Sequence, residues 1–434
     1  MTLSTVSKPL FAASALAAVL LALPPYDRAA VREAQGAVRA AHDQKDWPAF
    51  LAESRKLTAL APRSMRALYG LACALSRNGE NAEALTALGR LADYGVRFDL
   101  AGDRDLDGLA GLPELAAVVK RMQDLDQPVG HGVPAFTLAE KDLLVEGVVH
   151  DPKTGAFFVS SVRHRKIVRI DAGGRAADFV KEGQDGLFAA TALALDPRRR
   201  ALYVSSAATT LMAGARKEDE GRSALLEFDV DSGRLRLSLP PPDADGTLSD
   251  LALGPDGSVY VADPKTGRVY VRKPGALRLE RLVDAGPIAS AQGMAVSSDG
   301  RSLFVADYLQ GIAKVDLGTG AVRLLEAPAN LAMTGIDGLV LAGDSLVGIQ
   351  NGLEPNRVLR LRLDLAKERI VEGTILERAN PAHDEPTLGV VVGRDFYYVA
   401  NSQYGLFGDD GQPDESRLRH PVILRLSLAW LAGS

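Results

Sequence analysis

Residues 292–308 read QGMAVSSDGRSLFVADY, and this stretch decides the fold. A short apolar run from Gly293 to Val296 meets a turn carrying Asp299 and Gly300, then a second run rich in Leu, Phe and Val, which is the pattern of a β-hairpin. The same opening recurs on both sides: EGVVHDP at Glu146, TALALDP at Thr191, SDLALGP at Ser249, DGLVLAG at Asp337 and TLGVVVG at Thr387. The copies lie 43 to 58 residues apart, the longest interval holding the polar insertion AATTLMAGARKEDEGRS after Ser206. Each continues into a second strand (AFFVSSV, ALYVSSA, SVYVADP, SLFVADY, SLVGIQN, FYYVANS) and most into a third. A period in the forties with three or four antiparallel strands per copy is that of a β-propeller blade, so the sequence predicts six blades. With two Trp residues and no Trp-Asp dipeptide, the WD40 class is excluded. The last copy stops after VILRLSL, while PAFTLAE (134–140) has no blade of its own. Pairing of Phe136–Ala139 beside Val422–Leu428 would close the ring and remove exposed sheet edges.

Upstream of the propeller (134–434) the period changes. From about residue 28 to 125 apolar residues recur at intervals of three and four, as in Leu68, Leu71, Ala72 and Leu75, which is helical. Asp46 and Glu80, Phe50 and Ala84, and Leu57 and Leu91 each sit 34 apart, the tetratricopeptide spacing. Two antiparallel helix pairs are expected over 32–60 and 66–92, with a further helix over 112–122 and a short Pro- and Gly-containing connector near Asp126–Val133. The expected fold class is thus mainly β, a six-bladed propeller preceded by an α-helical tetratricopeptide-like domain. Residues 1–25 hold the apolar stretch Leu10–Leu23 behind Lys8, which has the length of a secretory signal rather than of a membrane span. Export to the periplasm or medium is expected, with an uncleaved N-terminal anchor as the alternative and the only expected membrane contact.

Composition narrows the function. The chain has 434 residues, 50 Lys and Arg against 55 Asp and Glu, and no basic run long enough to follow a phosphate backbone, so nucleic acid is excluded as a partner. A single cysteine, Cys73, allows no internal disulfide and no Cys-based zinc site. No G-x-S-x-G elbow accompanies the six histidines. Cys73, inside a helical repeat with no nearby His, reads as a small buried hydrophobe.

The first residues of the six copies, Glu146, Thr191, Ser249, Gln292, Asp337 and Thr387, fall on one ring at a mouth of the central channel. The ends of the second strands give a second ring: Ser161, Ser206, Asp263, Asp307, Asn351 and Asn401. Both are oxygen-rich, which suits a hard cation. Ring composition alone leaves an ion and plain hydration both open.

The openings at Glu146, Gln292 and Asp337 resemble those of the gluconolactonase/regucalcin/luciferin-regenerating-enzyme family of six-bladed propellers, over about residues 143–428. The resemblance implies one divalent cation, Ca²⁺ or Zn²⁺, held by Glu146, Gln292 and Asp337, with Gln292 standing where the family has Asn. It implies Asp337 as general base, and Ser249, Asp250 and Asp307 as substrate contacts; Ser249 replaces a family Asn. The activity implied is metal-dependent hydrolysis of a sugar or related lactone. The competing expectation is a non-enzymatic periplasmic binding or scaffold protein that uses the propeller face and helical repeats to hold a protein partner.

Overall fold

The structure is a computed structural model and describes residues 26–366 and 368–433; the Leu10–Leu23 segment lies outside the described residues. Helices α1 (Arg28–Asp43), α2 (Trp47–Leu60), α3 (Met65–Arg77), α4 (Asn81–Asp93) and α5 (Pro113–Gln123) come first. Their starts are written locally. Asp27 accepts hydrogen bonds from the N–H groups of Ala29 and Ala30, and Ser64 accepts one from that of Ala67. Asp46 accepts the Ala49 N–H while Pro48 sits in the first turn of α2, where a missing N–H costs nothing. The start of α4 lies 34 residues after that of α2, so the spacing read from Asp46 and Glu80 is the spacing of two helix N-termini. Phe50 and Leu57 of α2 and Ala84 and Leu91 of α4 are buried.

The rest is six four-stranded antiparallel sheets. Blade one is β2 (Val148–Asp151) to β5 (Ala176–Val180), blade two β6 (Ala189–Asp196) to β9 (Leu235–Leu239), and blade three β10 (Leu251–Leu253) to β13 (Glu280–Val283). Blade four is β14 (Ala291–Val296), β15 (Ser302–Asp307), β16 (Gly311–Asp316) and β17 (Val322–Leu324). Blade five is β18 (Ile336–Ala342), β19 (Ser345–Gln350), β20 (Arg357–Asp364) and β21 (Arg369–Arg378). Blade six joins β22 (Gly389–Val392), β23 (Asp395–Val399) and β24 (Val422–Ser427) to β1 (Val133–Thr137), with Phe136 opposite Ile423 and Thr137 opposite Val422. The chain closes its ring as the unpaired PAFTLAE segment requires. Hairpin turns repeat one device: Asp151 accepts from Lys153 N–H and Thr154 Oγ1, Asp316 accepts from Gly318 and Thr319 N–H, and a glycine at positive φ follows (Gly155, Gly320).

In blades four and five the glycine after the ring residue brings neighbouring inner strands together at the axis. A Cβ on Gly293 would sit 2.3 Å from the Asp337 carbonyl oxygen and 2.5 Å from the Leu339 nitrogen, and one on Gly338 2.4 Å from the Thr387 carbonyl. No side chain fits at these two positions, which is why the fourth and fifth openings read Gln-Gly and Asp-Gly.

The helical layer is seated on the propeller face that carries these openings. Arg63 Nη1 donates to the Gln310 carbonyl at 2.6 Å, Arg97 N–H to the Glu354 carbonyl at 2.7 Å, and the buried Arg357 guanidinium to the Gly95 carbonyl at 2.8 Å. Ala332 and Leu353 of the propeller belong to the same apolar cluster as Leu68, Leu75 and Leu88. The helices therefore lie over blades four and five.

Candidate functional site

The mouth of the channel gathers three carboxylates, from Glu146 of blade one, Asp250 of blade three and Asp337 of blade five. Glu146 and Asp337 keep some surface toward the channel void, although all three lie deep among protein atoms. Below them runs a channel of about 260 Å³ walled by the inner strands, including Val148, Leu193, Met294, Leu339 and Leu388, with Asp250 on its lining. Carboxylates buried this deeply lose most of the water that would solvate their charge. Burial is accordingly the main reason all three carboxyl groups are held above the ordinary carboxylate range, and repulsion adds to it. Glu146 feels Asp337 and then Asp250 and Glu385; Asp250 feels Asp337; Asp337 itself is pushed up to about 6 by burial and by Glu385, against a lowering hydrogen bond from Asn351.

The neighbours are polar and ordered. Asn351 Nδ2 donates to Asp337 Oδ2 at 2.7 Å and to the Pro386 carbonyl at 3.0 Å, while its Oδ1 accepts the Tyr308 hydroxyl at 3.2 Å. Burial together with the nearby Glu146 carboxylate raises the Tyr404 phenol well above the usual tyrosine value. Tyr308 is pushed up to about 12 by burial and by Asp337. Both phenols stay protonated and act as donors.

Tyr404 follows Gln403, a residue at φ 66, and the turn is pinned hard: the Gln403 side chain accepts the Arg419 N–H at 2.7 Å and donates to the Arg419 carbonyl at 3.0 Å. Glu385, also at positive φ, accepts the Gly405 N–H at 2.7 Å. Two non-glycine residues held left-handed at one rim are strain maintained by surrounding bonds. The blade-two insertion supports the same rim, with Met212 buried against Leu144, Val162 and Ala189 beside Tyr404 and Phe407.

Two polar atoms have no partner: Glu146 Oε2 and Asp250 Oδ2 are buried and accept no hydrogen bond among the described residues. Unpaired buried carboxylate oxygens are costly, and a cation is what would satisfy them. The donor chemistry, carboxylates with the amide of Gln292 on the same ring, suits a hard oxygen-seeking ion. Among the described residues no three His, Cys, Asp or Glu side chains are set closely enough to hold a metal by themselves, so Gln292 and water would complete the shell.

Other sequence-selected residues serve elsewhere. Ser249 lies beside Asp250 on the ring, its N–H bonded to the Ala262 carbonyl. Asp307 accepts the N–H groups of Ala289 (2.7 Å), Ser290 (3.2 Å) and Leu309 (3.1 Å) and Gln310 Nε2 (2.9 Å), so its oxygens hold the blade-four loops. The second ring as a whole does this work: Ser161 donates to the Leu143 carbonyl, Ser206 accepts the Phe188 N–H, and Asn401 bonds His420 and Val422. Asn351 alone of that ring bonds a mouth carboxylate. His383 is bonded to Tyr398, itself bonded to Glu377, and burial lowers its pKa. Cys73 is buried and its thiol is pushed up to about 12 by burial and by Asp103, which removes it as a nucleophile. Tyr308 and Tyr404 were not selected from sequence; the one signal for Tyr404 is its place in the long irregular loop before the last strand.

No protein-family model matches the chain, and no curated protein sequence is significantly similar to it. Among solved structures, regucalcin from Agrobacterium tumefaciens, described as a calcium-binding protein, is 18% identical, covering 68% of this chain and 93% of its own, with a TM-score of 0.48. A gluconolactonase from Xanthomonas campestris is 15% identical over 69% of this chain and 99% of its own, TM-score 0.46. Virginiamycin B lyase from Staphylococcus aureus is 12% identical over 70% of this chain and 100% of its own, TM-score 0.45. These proteins are similar to the propeller portion, and the six-bladed architecture stands on the strand pairing of this chain.

Proposed function

We propose that this protein is an exported, divalent-cation-dependent hydrolase of the gluconolactonase type, opening sugar or related lactones. The observation that carries the reading is the convergence of Glu146, Asp250 and Asp337 at one channel mouth with two buried oxygens lacking any partner among the described residues. Glu146, Asp250, Asp337 and the Gln292 amide would hold the ion. When bound, Ca²⁺ or Zn²⁺ supplies electrophilic polarisation of a carbonyl and a more acidic water. Asn351 fixes Asp337 through Oδ2, orienting its carboxylate to accept a proton from water as general base. Tyr404 and Tyr308, kept protonated, offer O–H groups to substrate oxygens at the rim. The helical layer on one side and the blade-two insertion on the other narrow the mouth, which favours a small substrate.

The test is turnover of a lactone panel by metal-stripped protein with and without Ca²⁺, Zn²⁺ or Mn²⁺. Opening that needs the ion and disappears in Asp337→Ala supports the reading; a panel untouched under every condition overturns it. A second reading, a periplasmic scaffold that binds a protein partner without turnover, is favoured by the helical layer seated over the same mouth. Under that reading the ion still binds and the panel stays untouched. In both readings residues 1–25 direct export, and among the described residues no helix is long and apolar enough to cross a membrane.

A further inference from the structure

A second cavity, of about 500 Å³, lies within the helical layer, between α1, α2, α3 and the turn around Asp103–Asp105. Its lining shares no residue with the carboxylate mouth, although Arg66 lies within electrostatic reach of Tyr308 there. Its apolar side is built from Val38, Phe50 and Leu57. Its charges divide into two kinds. The carboxylates are already used: Asp105 holds Arg77 at 2.7 Å and His42 at 2.9 Å, and Asp103 accepts the Tyr69 phenol and the Asp105 N–H. Arg39 and Arg66 line the same cavity, and neither donates a hydrogen bond nor meets a carboxylate among the described residues. With Asp105 neutralised by Arg77, the two free arginines outnumber the one remaining carboxylate, Asp103, and leave the cavity with a net positive charge.

A third observation is independent of charge. Ser54, also lining the cavity, is 1% exposed, and its Oγ has no hydrogen-bond partner among the described residues. A helical serine ordinarily bonds back to the carbonyl four residues earlier, as Thr58 does to Ser54 at 2.8 Å and Thr86 to Ala82 at 2.9 Å. Ser54 sits instead between Phe50 and Leu57 in the apolar wall with a donor unused, and a buried unused donor asks for a ligand.

We infer that this cavity binds a small amphipathic carboxylate, Arg39 and Arg66 taking the carboxylate, Val38, Phe50 and Leu57 covering the apolar body, and Ser54 bonding a polar atom along that body. Size agrees, since pockets for small organic ligands span roughly 300–1,000 Å³. Guanidinium groups suit a planar carboxylate because two N–H groups can engage its two oxygens together.

The experiment is calorimetric titration of the full chain, with a chelator present so that any ion at the propeller mouth is removed and the result is separate from the proposed hydrolysis. The probes are decanoate, 3-hydroxydecanoate, decanol and inorganic phosphate. One equivalent of decanoate binds, 3-hydroxydecanoate binds more tightly, and decanol and phosphate each bind at least about tenfold more weakly, because each keeps only one half of the recognition. Arg39→Gln combined with Arg66→Gln weakens decanoate at least about tenfold while the melting temperature is unchanged, both guanidinium groups being exposed and unpaired. Ser54→Ala abolishes the advantage of the hydroxylated probe and leaves decanoate as before. Absence of binding by both carboxylates, equal binding by decanol or by phosphate, or a double variant that binds like the parent protein would overturn the inference.

Discussion

Replacing Asp337 with Asn isolates the energetic consequence of gathering buried carboxylates at the channel mouth. Asp337 is pushed up to about 6 by burial and by Glu385, from an ordinary value near 4. A carboxyl whose folded-state pKa is raised leaves stability untouched below about pH 4. The fold then loses stability as pH rises between about 4 and 6, and above that it carries a constant penalty. At about 1.4 kcal/mol per pH unit the penalty is up to about 3 kcal/mol. Asparagine keeps the shape and retains an oxygen for the Asn351 N–H, so the variant loses the charge and little else. It also relieves Glu146 and Asp250, both of which feel Asp337. In chelator at pH 8, Asp337→Asn therefore melts several degrees above the parent protein, at about 2 °C per kcal/mol for a propeller of this size. At pH 4 the two melt together. Adding Ca²⁺ or Zn²⁺ at about a hundredfold excess over its dissociation constant returns about 2.7 kcal/mol to the parent protein and far less to the variant, so the gap between them nearly closes. Differential scanning calorimetry at the two pH values reads all of this. A variant that melts at or below the parent protein at pH 8 without metal would refute the claim that repulsion is stored at the mouth.

Asp151 gives the opposite pH signature: although burial opposes it, the Arg200 fork at 2.7 and 2.9 Å with Thr154 and the Lys153 N–H holds it at about 2. Asp151→Asn should cost about 2 kcal/mol in urea unfolding at pH 7, a difference that fades as pH falls through about 2. Gly293→Ala should prevent the blade-four and blade-five inner strands from nesting and abolish metal-induced stabilisation, since its Cβ would meet backbone at 2.3 and 2.5 Å; a variant that melts and responds to metal like the parent protein would contradict this. Arg357→Met leaves the Gly95 carbonyl and Gln350 Oε1 without their donor, so the helical layer should weaken by about 2–4 kcal/mol and calorimetry should resolve two transitions in place of one.

The fold was legible because it is repeated. Period-two runs joined by Asp- or Gly-bearing turns recur in every blade, and the glycine after Gln292 and Asp337 is a direct record of backbone crowding at the axis. The same regularity obscured the second ring: Asp307, Ser161 and Asn401 recur at strand ends because each blade must tie down its loop, and sequence does not separate that duty from chemistry. Asp250, read from the resemblance as a substrate contact, lies in the carboxylate cluster, a fact that depends on how far blade three stands from blade five. Tyr404 comes from an irregular segment outside the repeat and is positioned by Gln403 and Glu385, whose left-handed conformations leave no trace in residue type. The seating of the helices over the mouth rests on Arg63, Arg97 and Arg357 reaching carbonyls more than 240 residues away in sequence, and local patterns carry no signal for such pairs.

The central claim is that the mouth is a cation site, and isothermal titration of metal-stripped protein with Ca²⁺, Zn²⁺ and Mn²⁺ tests it most directly. One equivalent of a divalent ion should bind with release of protons near pH 6, because Glu146, Asp250 and Asp337 give up protons they hold above the ordinary range, and Glu146→Gln or Asp250→Asn should each weaken binding at least about tenfold. Absence of binding heat for all three ions, with no change in melting temperature, would contradict it.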